Sequence, residues 1–471
     1  MLYFLICVNV ILLGLFSCIF VKTYQLSGYN IKKFINCCAC FRLAFGDKNK
    51  LVFTKRIIRF YIVLLLICAG LFFLPMKFLT SPFLVAFDCC VVFVLTPIWI
   101  VLSHYIVLPI EVAIKKIYII KAKNKLAKKN VIKIAITGSF GKTSTKNILK
   151  HILEKEYKVC ATPKNYNTEM GTTLTILKNL EDHDVFISEM GARHRRDIEK
   201  LTKIVRPDYG VITAIGDCHI ESFKSIQNIE DTKFELAENI SPSGVMFFGG
   251  DEGCKKLFKK YAGNKIVVCQ ENAFAYAENI VASKQGCEFT LVINGEKAQV
   301  KTKLLGRFNV ENIVLASAVA YKIGVSLKDI QSAISSLISP AHRLEVIERQ
   351  GCTIIDDSYN SNEIGFQEAL NVLNMFEGRK IVITPGIVEL GKKQSDANFK
   401  LGGKIADVCD FLIIMNAENK NDLLSGAIAH NFKRENIFFA STRAEQMDLV
   451  KMLTCQGAVI LFENDLPDNY K

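Results

Sequence analysis

One eight-residue segment limits the fold of this 471-residue chain more tightly than any other feature. It is Thr137-Gly138-Ser139-Phe140-Gly141-Lys142-Thr143-Ser144, set between a β-branched run (131–136, VIKIAI) and a helical stretch. Gly138 and Gly141 let successive backbone N–H groups turn toward one point, Lys142 adds a positive charge, and the Thr143 hydroxyl can ligate Mg²⁺. That equipment suits phosphate oxygens, with Ser139 and Ser144 completing the loop. The first glycine of a generic GxxxxGK[ST] loop would fall at Ile136, so this is a variant of that motif. A turn of this kind belongs between a strand and the helix it feeds, which makes the rest of the chain an α/β problem.

The pattern downstream agrees. Short apolar runs at 131–136, 184–188, 208–213, 245–248 and 265–269 alternate with helical stretches, predicting a parallel sheet wound with helices. Residues 287–302 alternate and carry Asn294-Gly295, the signal for a hairpin on that sheet. After Ser339-Pro340 a second series of strands is expected at 353–356, 380–384, 410–414, 436–439 and 458–462. A domain boundary therefore falls near residue 340, giving domains at 131–339 and 340–471.

The first 130 residues are different in kind. They hold 17 Lys/Arg against three acids (Asp47, Asp88, Glu111), whereas the remaining 341 residues carry 42 bases and 43 acids. All of the net charge of +13 thus belongs to the apolar front end. A nucleic-acid interface would need a basic stripe on the folded part, so the asymmetry argues against one and for a membrane surface. Three apolar runs, at about 2–21, 57–79 and 83–110, are expected to span a bilayer, the last two joined by the turn Thr80-Ser81-Pro82. The first run lacks a basic start and a small-residue cleavage site, and so reads as a retained helix. The loop from Lys22 to Arg59 has nine Lys/Arg and one acid, and the stretch from Lys115 to Lys133 has eight Lys and no acid. By the positive-inside rule both face the cytoplasm, which puts the N-terminus outside and everything after residue 115 inside. Residues 1–115 form the expected membrane region and 116–130 a basic linker. Asp88 is expected near the outer interface. Of the 16 cysteines, eight lie in residues 1–130 and eight are scattered beyond, without the spacing of a disulfide framework. Cys37 and Cys40 form a CxxC that no second pair or nearby His completes.

Further motifs follow the loop in order: 162–177 (TPKNYNTEMGTTLTIL), 186–192 (FISEMGA), 207–223 (PDYGVITAIGDCHIESF), 231–236 (DTKFEL), 305–312 (LGRFNVEN), Arg343, 356–362 (DDSYNSN) and Glu389-Leu390-Gly391. Together with TGxxGKT they resemble the Mur ligase family. Their order and approximate spacing are similar to the branch that adds D-alanyl-D-alanine to UDP-N-acetylmuramoyl-tripeptide, over residues 131 to about 400.

The resemblance implies a P-loop central domain, a Rossmann-like C-terminal ligase domain, and an ATP-dependent amide ligase working through an acyl phosphate. ATP is expected on Gly138, Ser139, Gly141, Lys142, Thr143, Ser144, Asn312, Arg343 and Asp357. Asn312 resembles the residue that reads the adenine edge, and Arg343 with Asp357 the pair that clasps phosphate and ribose. Joining a carboxylate to a phosphate brings two anions together, which positive charge and metal must neutralise, and the resemblance implies two Mg²⁺ sites. Thr143 and Glu189 resemble ligands of the first, and His219 of the second. Lys233 matches the family's lysine that becomes carbamylated and then helps hold that second metal. The catalytic set implied is Lys142, Glu189, His219 and Lys233, with Asn165, Asn167, Thr168, Tyr359 and Asn360 lining the substrate side.

The chain departs from the pattern at both substrate ends. The expected spans stand where soluble members carry a small UDP-sugar domain. Thr168 replaces a usual Asn and Glu363 a frequent Pro, Thr384 to Ile387 replaces Gly-Asp-Met, and Leu461 to Pro467 replaces a Lys-Gly-Ser-Arg type segment. The expected protein is a multi-pass ligase of the bacterial plasma membrane with cytoplasmic catalytic domains. It acts on a UDP- or lipid-linked muramoyl peptide and an incoming amino acid or dipeptide. A poly-γ-glutamate or capsule-type ligase, and a non-catalytic ATP-binding scaffold, are the alternatives.

Overall fold

The computed structural model describes residues 2–40, 43–44, 50–76, 90–164, 166–218, 220–359, 362–416 and 418–464. They form two compact units, residues 1–120 and 121–471.

In the first unit the helices Leu2–Leu26, Ile31–Ala39 and Lys55–Met76 are followed by the start of a 32-residue helix, Thr96–Ala127. They share one apolar seam in which Tyr24, Phe34, Ile57, Phe60, Leu64, Ile100 and Val107 are buried. The Arg59 guanidinium grips Glu111 Oε1 at 2.6 and 2.7 Å and so ties two of these helices together.

The expectation of three membrane spans is met in part. Among the described residues one helix, Thr96–Ala127, is long and apolar enough to cross a membrane. It follows a helical stretch at 90–94 and a turn at Leu95, and it continues to Ala127 through the segment expected to be a basic linker. The reason is local: between Pro109 and Ala127 the chain has no glycine or further proline, and Ala, Ile and Lys are compatible with continued helix. The expected turn at residues 80–82 and Asp88 lie outside the described residues.

The second unit is built on a six-stranded, all-parallel sheet. Its strands are β1 (Ile132–Thr137), β2 (Val159–Ala161), β3 (Val185–Glu189), β4 (Tyr209–Ile212), β5 (Val245–Phe248) and β6 (Lys265–Val267), in the order β2-β3-β1-β4-β5-β6. Strands covered on both faces must be apolar throughout, and every residue of β3 is buried, as are the last four of β1. The chain leaves β1 toward β3 on one side and later reaches β4 on the other. That reversal opens a crevice at the carboxyl end of β1, where α/β sheets bind ligands. The short β2 was not expected.

A three-stranded antiparallel sheet follows: β7 (Ala275–Ser283), β8 (Gly286–Ile293) and β9 (Glu296–Thr302). Asn294 and Gly295 both take positive φ, 49° and 85°, and make the tight turn expected of them. The helix Arg307–Ile323 buries Val310, Ile313, Val314 and Val319 in the central core and packs on the helix Lys142–Leu153.

The C-terminal domain has a second six-stranded sheet of β10 (Glu345–Arg349), β11 (Cys352–Asp357), β12 (Lys380–Thr384), β13 (Phe411–Met415), β14 (Ile437–Ala440) and β15 (Val459–Glu463). The order is β10-β11-β15-β12-β13-β14, parallel except for the edge strand β10. Glu345, Glu348 and Arg349 leave β10 only two apolar residues, which hid it from a hydropathy reading. Phe247, fully buried on β5, is part of the central core. Phe247→Ala is expected to cost about 3–5 kcal/mol through the cavity it leaves, measurable as a lower chemical-denaturation midpoint of the second unit.

Candidate functional site

The loop after β1 is strapped to the loop after β4. Ser139 N donates to Ala214 O at 2.7 Å, while Ser139 Oγ donates to Gly216 O (2.9 Å) and accepts from Gly216 N (3.0 Å). Thr213 Oγ1 donates to Phe140 O. The close fit requires glycine. A Cβ on Gly138 would lie 2.1 Å from Thr213 Oγ1, and one on Gly141, whose φ is +79°, would lie 2.6 Å from Asn312 Oδ1. Gly141 is also the N-cap of the helix Lys142–Leu153 and brings no side chain to it, so the first-turn N–H groups are not capped from that position. Lys142 Nζ curls back onto Gly138 O (2.8 Å) and Ser139 O (3.0 Å). Burial holds its pKa below the ordinary lysine value.

Glu189 ends β3 beside this loop and is 2% exposed. Lys146 meets its Oε2 at 3.0 Å, and the Asn167 amide donates to Oε1 at 3.3 Å. Lys146 was not among the residues the sequence singled out. Its signal was there, since it follows Lys142 by four residues and so shares that helix face. Thr168 caps the next helix, Glu169–Asn179, by accepting from Gly171 N at 3.3 Å.

Lys233 approaches from the helix Ile226–Glu238, 4% exposed, with its Nζ 5.9 Å from the Phe223 ring centre. Among the described residues no carboxylate pairs with it. Burial first, and then the nearby Lys142 charge, lower its pKa from 10.5 to about 7. Cys218 lines the same cleft.

The C-terminal domain supplies the opposite wall. The Arg343 guanidinium lies 4.2 Å over the Tyr359 ring, and Leu344 N donates to Asp357 Oδ1 at 3.1 Å. Burial pushes the Asp357 carboxyl up to about 6, against the opposing pull of Arg343. Two cavities result. One of about 500 Å³ is bounded by the phosphate loop, Lys142, Thr143, Asn167, Thr168, Glu189, Lys233, Arg343 and Tyr359. The other, of about 360 Å³, is bounded by Gly141, Ser144, Asn312, Arg343 and Asp357. Gly141 and Arg343 border both, as does Asn362, another residue the sequence reading left out. Asn312 is 7% exposed and accepts from Thr145 Oγ1 at 3.1 Å. Asn165, His219 and Asn360 lie outside the described residues.

Among the described residues no three His, Cys, Asp or Glu side chains cluster as a metal cage. Mg²⁺ needs none, because it is usually held by one or two carboxylates, water and substrate phosphates. Thr143 and Glu189, both oxygen donors on the wall of the larger cavity, fit that requirement.

The lysine at position 233 also sets a pH dependence. Between about pH 7 and 10.5 the unfolded chain binds a proton that folded Lys233 does not, so this residue adds stability as pH rises through that window. The thermal midpoint of ligand-free Lys233→Met relative to wild type is expected to be higher at pH 6.5 than at pH 9, read by scanning fluorimetry.

The chain matches the Mur ligase middle domain over residues 136–320 and the Mur ligase, glutamate ligase domain over 342–463. It is 32% identical over 267 residues to the UDP-N-acetylmuramoyl-tripeptide--D-alanyl-D-alanine ligase of Buchnera aphidicola subsp. Baizongia pistaciae, covering 56% of this chain and 58% of that one. The ligase of the same name from Bacillus subtilis is 27% identical over 340 residues, covering 70% and 72%. MurF from Acinetobacter baumannii superposes with a TM-score of 0.66 at 26% identity, over 73% of this chain and 76% of that one. The two domain matches together cover well over half of the sequence, and the chain belongs to the Mur ligase family.

Proposed function

We propose that this chain is an ATP-dependent amide ligase of peptidoglycan-precursor assembly, adding D-alanyl-D-alanine to a muramoyl tripeptide. The observation that carries the reading is the larger cavity, in which Lys142, Thr143, Glu189, Lys233 and Arg343 face one space between the two domains of the second unit. ATP enters with its phosphates on the loop after β1, where Lys142 exchanges the carbonyls of Gly138 and Ser139 for phosphate oxygens. Its nucleoside end occupies the smaller cavity beside Asn312 and Asp357. Mg²⁺ on Thr143, Glu189 and the phosphates would neutralise charge as two anions meet.

The reaction follows from the charges. A carboxylate oxygen of the acceptor attacks the γ-phosphorus and ADP leaves. The amine of the incoming dipeptide then attacks the acyl carbon, phosphate departs, and the amine sheds its proton. Arg343, carried by the C-terminal domain, adds positive charge as the walls close, and closure keeps water from the acyl phosphate. Asn167, Thr168 and Tyr359 border the acceptor side, with Asn165 and Asn360 assigned there from sequence. Lys233, buried and with its pKa lowered to about 7, has a substantial share of free amine at pH 7 able to add CO₂, losing a proton to become a carbamate. With His219 it would serve a second Mg²⁺.

The first unit is read as the attachment to the bacterial plasma membrane, N-terminus outside and catalytic domains cytoplasmic. The apolar length of Thr96–Ala127 and the eight lysines from Lys115 to Lys133, in its last turns and just beyond, support this.

Purified full-length protein in detergent is expected to release ADP from MgATP with UDP-N-acetylmuramoyl-tripeptide plus D-alanyl-D-alanine. Lys142→Ala is expected to lower kcat by about 10²–10³-fold or more, the scale of removing one charge-stabilising donor. Turnover with a lipid-linked acceptor alone would move the acceptor assignment to the membrane, and silence with both would refute the ligase reading. Incubation with ¹³C-bicarbonate is expected to give a carbamate carbon resonance that is missing in Lys233→Arg.

A further inference from the structure

Lys142 and Lys146 lie one turn apart on the helix that follows the phosphate loop, yet their bonding differs in kind. Lys142 rests on two loop carbonyls that a phosphate can displace. Lys146, 2% exposed, donates to Thr162 O at 2.9 Å, Lys164 O at 3.0 Å and Glu189 Oε2 at 3.0 Å. An ammonium has three donors and no acceptor, so Lys146 is saturated and has nothing left for a phosphate. Burying such an ion pair contributes little net stability, since desolvation of both groups offsets their attraction. The pair therefore calls for another reason.

Its partners supply one. Glu189 Oε2 is occupied by Lys146, while among the described residues Oε1 meets only the longer, 3.3 Å contact from Asn167 Nδ2, which a cation can displace. The two carbonyls belong to the segment that runs from β2 into Asn167 and Thr168. Thr162 closes the loop from its other end, accepting Glu189 N on its Oγ1 at 3.0 Å. One ammonium thus holds both the carboxylate on the metal side and the backbone leading to the acceptor side.

We propose that Lys146 is a positioning residue for the ligase reaction: it fixes Glu189 with Oε1 ready for Mg²⁺ and couples that orientation to the 162–168 segment. Metal affinity and acceptor affinity then both depend on a side chain that touches neither ligand. This rests on the ligase reading above.

The test uses full-length protein in detergent and reads Mn²⁺ binding to the ADP complex by electron paramagnetic resonance, without turnover. Lys146→Met is expected to weaken Mn²⁺ about 10–100-fold, the usual effect of losing a partner that orients a metal ligand. Metal-free ADP affinity should stay at the wild-type value, and acceptor KM should rise alongside any fall in kcat. A lower thermal midpoint with unchanged Mn²⁺ affinity would show a purely structural lysine and overturn the proposal. Should Lys146→Met fail to fold, Lys146→Arg keeps the charge but not the three-pronged geometry, and is expected to weaken Mn²⁺ by a smaller factor. An unchanged value in that variant overturns the proposal equally. In a Glu189→Gln background the effect of Lys146→Met on Mn²⁺ should vanish, and additive losses would count against it. A wild type that binds Mn²⁺ with ADP yet never turns over would refute the ligase reading without touching the role of Lys146.

Discussion

Everything at the site depends on how closely the loop after β1 approaches the loop after β4. The backbone at Gly138 and Gly141 leaves no room for a methyl group against Thr213 and Asn312. That contact in turn needs β1 hydrogen-bonded between β3 and β4, so that Thr137 pairs with Ile212 and Ile136 with Glu189. The register brings the phosphate loop and the Glu189 carboxylate to one level of the sheet. A slip of one residue would turn Glu189 to the other face.

The same crowding creates an electrostatic problem. Lys142, Lys233 and Arg343 line a cleft that also holds Glu189, with Lys146 buried against that carboxylate, and like charges at such range repel strongly where water is scarce. Each cation is accommodated differently. Lys146 is paired with Glu189, Lys142 is solvated by loop carbonyls, Lys233 sheds its proton near neutral pH, and Arg343 spreads its charge over the Tyr359 ring. Such a cleft suits a polyanion, whose arrival would relieve the repulsion that the ligand-free protein tolerates. Arg343 and Asp357 belong to the second domain, so the cleft is complete only when both domains contribute.

Much of this architecture was legible beforehand. The strands at 245–248 and 380–384 coincide with β5 and β12, because a parallel strand covered on both faces must be uniformly apolar. What escaped notice shares a cause. β2 is three residues long, β10 has only Val346 and Ile347 between charged residues on an exposed edge, and neither carries a run strong enough to stand out without its neighbour. At the front end, the apolar runs were visible, but where helices begin and end was not. The basic stretch after Pro109 continues as helix because nothing in it breaks one.

By itself the sequence determined the strand-loop-helix motif, the order of the domains and the residue types that chemistry at a phosphate requires, since these follow from local backbone freedom and hydrophobic period. Only the tertiary structure decided that Lys146 is saturated by Thr162, Lys164 and Glu189 while Lys142 is not, and that Arg343 borders both cavities. Two lysines four residues apart look alike in a sequence. They diverge because one side chain ends on three fixed acceptors, and the other ends at the wall of an open cavity.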